Sequence, residues 1–235
     1  GRLKTFEGEL TDYIGEAHDD LPQIAQNFSE SVRWHASARG NPSPIEVWNA
    51  YAAEIISREI KMNWRGKILT KPAMTAAEWE VADDTSRDVA REYLWALTRM
   101  ATHFKVGWAV GIMQVLMEIR GKSPGENISI LDPSAGWGDR LSASLILRMD
   151  ITSVDPNPAL LQPWQQIIAA IGGDAEICIE PFENFMPKVV DGVVRRYDIV
   201  FTSPPYRPDD ERYTSAPGQA AANASWEAWF KEFVV

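Results

Sequence analysis

Residues 198–206 read Asp-Ile-Val-Phe-Thr-Ser-Pro-Pro-Tyr, an apolar run that closes on Ser203-Pro204-Pro205-Tyr206. Two consecutive prolines fix two φ angles and remove two backbone donors, so a strand must end here and no helix consumes the carbonyls before them. Those carbonyls stay free to accept hydrogen bonds, and Tyr206 sets a flat apolar ring beside them. Acceptors next to an aromatic ring suit a planar ring that bears an amino group. A proline-ended strand is also ordinary punctuation, so this reading needs a second signal.

That signal lies upstream. Residues 128–138, Ile-Ser-Ile-Leu-Asp-Pro-Ser-Ala-Gly-Trp-Gly, are a short apolar strand entering a glycine loop, and a helical stretch continues from Asp139 to Leu147. Gly136 and Gly138 let the backbone turn tightly and bring its N–H groups near a ligand, and the helix start adds unpaired amides. A dinucleotide fingerprint would carry a third glycine two residues beyond Gly138. This chain has Asp139-Arg140-Leu141 there, and an acid at a helix start repels pyrophosphate; the lysine of a P-loop is absent too. A second strand, Ile151 to Val154, ends at Asp155, about 20 residues past the loop, where an acid binds ribose hydroxyls. A nucleoside without pyrophosphate fits best. S-adenosylmethionine is such a ligand, and its cationic sulfonium amino acid can face Asp132.

In this order the motifs resemble the class I S-adenosylmethionine-dependent methyltransferases, in particular those that methylate cytosine N4 or adenine N6. The resemblance covers about residues 104–235. Asp132-Pro133-Ser134-Ala135-Gly136-Trp137-Gly138 resembles that family's cofactor loop, Asp155 its ribose acid, and Ser203-Pro204-Pro205-Tyr206 its catalytic tetrapeptide. Phe182 and Glu183, after the third strand, fall where relatives touch the cofactor adenine. A tetrapeptide beginning with Ser leans toward cytosine, whereas the cofactor loop preceding it departs from the order of many cytosine-N4 enzymes, so the target base stays open. The resemblance implies Ser203 and the Pro204 carbonyl as acceptors for the target amino group, Tyr206 as its stacking ring, and a nucleic-acid substrate, DNA before RNA. Two other readings remain: a methyltransferase of a protein glutamine amide, and a non-catalytic subunit that keeps the fold.

The elements that must position these residues are legible in outline. From Ile128 strands and helices alternate, with strands at 128–132, 151–155, 175–180 and 197–202 and helices at 139–148, 158–171 and after 223. This predicts an α/β Rossmann-like parallel sheet, with both motifs at carboxyl ends of strands. Only the helix after 223 comes beyond the fourth strand, so the sheet reads as C-terminally incomplete, its last strands missing or supplied by a second chain. Residues 1–120 read as a helical N-terminal region for target recognition or partner binding, and 121–235 as the catalytic domain. Ser43-Pro44-Ile45-Glu46 and Thr75-Ala76-Ala77-Glu78 are capping boxes. The first opens a helix through Ile56 and the second a helix running past Leu97; a third spans Gly107 to Arg120 before Gly121.

Composition narrows the classes. The 235 residues are 45% hydrophobic, enough for a sizeable core. One cysteine, Cys178, permits no internal disulfide, and three scattered histidines lack metal-ligand spacing, so no metal is expected. The apolar stretch Val106 to Met117 is too short to cross a bilayer, and no signal peptide is evident, so an intracellular, cytoplasmic or nucleoid-associated protein is expected. Net charge is −10, and acids outnumber bases in both halves, which argues against broad phosphate affinity. The local exception is Arg58, Lys61, Arg65, Lys67 and Lys71 around Trp64. Lys61, Trp64, Arg65 and Lys67 are candidates for holding a nucleic-acid backbone and stacking a base; a solvated helix end and loop is the competing reading.

Overall fold

Ser43 caps the first helix among the described residues. In the computed structural model its hydroxyl accepts the Glu46 amide at 3.4 Å while Glu46 accepts the Ser43 amide at 2.7 Å, so both orphan donors of a helix start are satisfied. The structure describes residues 34–38, 41–64, 66–98, 104–123, 126–187, 189–190, 192–203 and 211–212. They form two compact units, one holding residues 34–98 and 211–212, the other residues 104–203.

In the first unit β1 (Ser37–Ala38) precedes α1 (Pro44–Ser57), a hairpin of β2 (Ile60–Trp64) and β3 (Lys67–Lys71), then α2 (Ala76–Glu80) and α3 (Asp84–Leu97). The chain returns to this unit after Ser203, and residues Glu211–Arg212 pair antiparallel with β1. Val47, Ile55, Ile60, Val89, Ala90 and Leu94 make its core. Two expectations need correction. The region is not purely helical, because residues 60–71 form an antiparallel hairpin closed where the Gly66 amide donates to the Asn63 side chain at 2.9 Å. The helix from the Thr75 box does not run through to Leu97. Asp83 accepts the Ser86 amide at 2.7 Å and restarts the chain as a new helix.

The hairpin also divides the basic cluster. Lys71 is fully buried, and its Nζ donates to the carbonyls of Ile56, Arg58 and Pro72 at 2.7, 2.9 and 2.9 Å. It caps the C-terminal end of α1. Lys61 pairs with Glu59 at 2.7 Å on the surface, and Lys67 is exposed. Trp64 lies in β2, and Arg65 lies outside the described residues.

The second unit carries α4 (Val106–Ile119), β4 (Ser129–Asp132), α5 (Asp139–Ile146), β5 (Asp150–Val154), a 3₁₀ turn (Pro158–Leu160), α6 (Leu161–Ile171), β6 (Ala175–Cys178), a second 3₁₀ turn (Phe182–Asn184), the hairpin β7 (Val189–Val190) and β8 (Val193–Val194), and β9 (Ile199–Val200). The sheet runs β6-β5-β4-β9 with every neighbour parallel, the expected Rossmann-like α/β architecture. Its central strands are buried on both faces, and Ile130, Ile151 and Val154 are fully buried. α5 is buried from Asp139 to Leu145. Its serines bond backward, Ser142 Oγ to the Gly138 carbonyl and Ser144 Oγ to that of Arg140, which removes the penalty of placing hydroxyls there.

The element bounds are close to expectation, except that the fourth strand is only two residues long. α4 packs on α5, with Ser144 Oγ 3.6 Å from Met113 Sδ, so the boundary expected at residue 120 falls near residue 101 instead. The helix expected after 223 lies outside the described residues, and β9 is a sheet edge among those described. No helix among them is long and apolar enough to cross a membrane.

Replacing Lys71 by Met keeps the stem but removes the donor shared by the Ile56, Arg58 and Pro72 carbonyls, of which Ile56 keeps the Met74 amide at 3.0 Å. Thermal and urea unfolding should show a loss of about 3 kcal/mol.

Candidate functional site

β4 and β9 lie side by side and point the same way, so the segments beyond Asp132 and beyond Val200 emerge together at the carboxyl edge. The last ladder bond runs from the Phe201 amide to the Leu131 carbonyl at 3.0 Å. β5 and β6 continue from β4 on one side while β9 lies on the other. This reversal of strand order is where α/β sheets open a ligand crevice.

The loop between β4 and α5 is fixed from four directions. Asp132 is fully buried, and its Oδ2 accepts Arg140 Nε at 2.7 Å; Arg140 is itself 5% exposed at the side chain. Arg140 Nη2 also donates to the Ser134 carbonyl. The Ala135 amide donates to the Val154 carbonyl at 3.0 Å, and Trp164 Nε1 to the Gly136 carbonyl at 3.0 Å. Asp155, at the end of β5, accepts the Gly136 amide at 3.0 Å on one oxygen and the Asn157 amide at 3.0 Å on the other.

The two glycines serve different ends. Gly136 has φ +55° and open space where a Cβ would stand, so it leaves one side of the loop clear. Gly138 has φ +91°, a left-handed conformation that favours glycine, and a Cβ there would crowd Ile167 Cδ1 at 2.8 Å and Trp164 Cδ1 at 3.2 Å on α6. Burial pushes the Asp155 carboxyl up to about 6 against the pull of the Asn157 and Gly136 amides; the Asp132 charge adds to the rise and Arg140 opposes it.

The candidate residues divide as follows. Pro133, Ala135 and Trp137 are buried in the loop, with Ser134 and Gly136 half-buried. Asp132 pairs with Arg140 within the chain. Phe182 packs on the cluster of Leu131, Val154 and Phe185, stacked on Phe185 at 6.0 Å, while Glu183 is exposed. The Ser203 carbonyl accepts Ser134 Oγ at 2.9 Å, which joins the two motifs. Pro204, Pro205 and Tyr206 lie outside the described residues. Sequence reasoning does not single out Arg140, Trp164 or Thr202. Arg140 directly after a glycine loop and eight residues from an acid is the one available signal.

No protein-family model and no curated protein matches the chain. One solved structure, of a proposed RNA methyltransferase from Pyrococcus horikoshii, aligns over 46% of this chain and 53% of its own length, with 19% identity and a TM-score of 0.34. The match spans about half of that protein and is too weak to argue from. The fold assignment therefore rests on this chain's own strand order.

The Asp155 proton has a readable consequence. Because the folded state holds it more tightly than the ordinary value of 3.8, the contribution of Asp155 to stability falls as pH rises from about 4 through about 6, by about 2–3 kcal/mol. Urea unfolding across that window should show a gentler slope in Asp155→Asn than in the wild type.

Proposed function

We propose that this chain is an S-adenosylmethionine-dependent methyltransferase acting on an exocyclic amino nitrogen of a nucleic-acid base, cytosine N4 or adenine N6, in DNA before RNA. The observation that carries the reading is the Ser134–Ser203 hydrogen bond at the switch point of a parallel sheet. It joins the glycine loop to Ser203, the first residue of Ser203-Pro204-Pro205-Tyr206.

The residues present fit that cofactor. Gly136 leaves open space, and Asp155 has lone pairs beyond the two amides it accepts, which ribose hydroxyls would fill. Asp139 in the first turn of α5 disfavours pyrophosphate. Asp155, Gly136, Ala135 and Gly138 would hold the nucleoside, with Phe182 and Glu183 toward the adenine. Asp132 acts on the loop through Arg140. When bound, the cofactor supplies an electrophilic methyl group.

The chain's own contribution is positional. Ser203 Oγ and the Pro204 carbonyl accept the two amino hydrogens, which turns the nitrogen lone pair out of conjugation, and Tyr206 stacks on the base. A conjugated amino nitrogen is a poor nucleophile, so fixing it in near-attack geometry is the useful intervention. The methylated cation gives its proton to a carbonyl, hydroxyl or water, and a base within a duplex must first leave the stack. The hairpin with Lys61, Trp64, Arg65 and Lys67 is the proposed backbone contact.

Labelled cofactor offered with DNA, RNA and protein in parallel should place label on a nucleic-acid amino group. Label on protein amides alone, or on nothing, would overturn the reading. Tyr206→Ala should lower transfer about 100-fold with cofactor affinity within about twofold of wild type. Replacing Lys61, Arg65 and Lys67 together should reduce the salt slope of nucleic-acid binding by about 2–3; an unchanged slope removes the hairpin from the interface.

A further inference from the structure

We infer that Ser134 is a positioning residue for Ser203 rather than a cofactor contact, its hydroxyl setting the orientation of Ser203 and coupling it to the buried Asp132–Arg140 pair. The inference rests on the methyltransferase reading above. It reassigns a loop residue whose expected role is cofactor binding.

The direction of each bond is set by the groups involved. A carbonyl only accepts, so the single hydroxyl proton of Ser134 goes to the Ser203 carbonyl, at 2.9 Å. The 2.6 Å contact between Ser134 Oγ and Thr202 Oγ1 must then have Thr202 as donor. The result is a directed chain from the Thr202 hydroxyl to the Ser134 hydroxyl to the Ser203 carbonyl. Both backbone groups of Ser134 are committed as well. Its amide donates to Asp132 Oδ1 at 3.4 Å, and its carbonyl accepts Arg140 Nη2. The donor proton of Ser134 is thus already directed at the acceptor loop.

The position of the chain explains why such a tie is needed. β9 ends at Val200, and its last ladder bond is made by the Phe201 amide. Pro204 and Pro205 have no amide to extend the pairing. Residues 202 and 203 therefore lie past the ladder, and a rotation of the Ser203 peptide plane would carry the Ser203 side chain away from a target amino group. The Ser134 hydroxyl opposes that rotation. A misplacement of about 1 Å at reacting groups lowers rate about 100-fold.

Three measurements on the whole chain test this. Removing the hydroxyl in Ser134→Ala should lower the transfer rate at saturating cofactor about 10- to 100-fold while the cofactor Kd, by calorimetry, stays within about twofold. Thr202→Val, which leaves the Ser134–Ser203 bond in place, should lose less, and Thr202→Ser should behave as wild type. In the cofactor-free protein, hydrogen exchange at the Phe201 amide, the last ladder donor of β9, should quicken at least about tenfold in Ser134→Ala, since the tie that holds the strand end beyond it is gone. A weakened Kd with an intact saturated rate would make Ser134 a cofactor contact and overturn the inference, as would unchanged exchange. A wild-type chain that transfers no methyl group would overturn the proposed function instead, and the exchange result would still decide the role of Ser134.

Discussion

The ion pair between Asp132 and Arg140 is closed inside the sheet unit, with side-chain exposures of 0% and 5% and a 2.7 Å contact. Two charges removed from water lose several kcal/mol of solvation each, so such a pair survives only with good geometry and with its other donors and acceptors used. Here they are used on one segment of chain. The second carboxylate oxygen takes the Ser134 amide and Arg140 Nη2 takes the Ser134 carbonyl, while the guanidinium lies 5.8 Å from the Phe104 ring. Strand end, loop and first helical turn become one rigid piece. Loss of either partner would leave an uncompensated charge and release the loop together.

That rigidity sets the electrostatics around it. Asp155 sits near a negative Asp132 and a positive Arg140 whose effects on it oppose one another, so burial is the main reason its carboxyl rises. The two amides it accepts pull the other way and tie the end of β5 to Gly136. Trp164 holds the same glycine from α6 through its carbonyl, and Gly138 lets that helix come close enough to do so. A loop gripped on its amide, its carbonyl and both flanking turns loses little entropy on meeting a ligand.

The features legible in the sequence are those whose cause is local. Both capping boxes and the glycine loop depend on residues within a few positions, and they are found where the motifs place them. The Lys71 outcome depends on carbonyls 13 and 15 residues away, so a run of basic residues conceals a buried cap. Asn63 and Gly66 mark the hairpin, yet the charges around them draw a sequence reading toward a surface helix end. Asp132 illustrates a different limit. Sequence places an acid at the strand end but not the direction of its carboxylate, which faces Arg140 eight residues on.

The pairing of β4 with β9 shows why side chains carry so much of this site. Its ladder is two residues long and parallel, the less stable arrangement per residue. At its start Ser129 donates both its amide and its hydroxyl to Asp198 Oδ2 at 2.9 Å, which holds that carboxyl below the usual carboxylate range, and the Asp198 amide returns to the Ser129 carbonyl at 3.0 Å. At its finish the Ser134 hydroxyl takes over. A serine thus clamps each end of a strand too short to hold itself, and the clamp at the carboxyl end also orients the acceptor loop. Because prolines forbid a longer strand at 204 and 205, the hydroxyl is the available means of keeping Ser203 in register with the glycine loop.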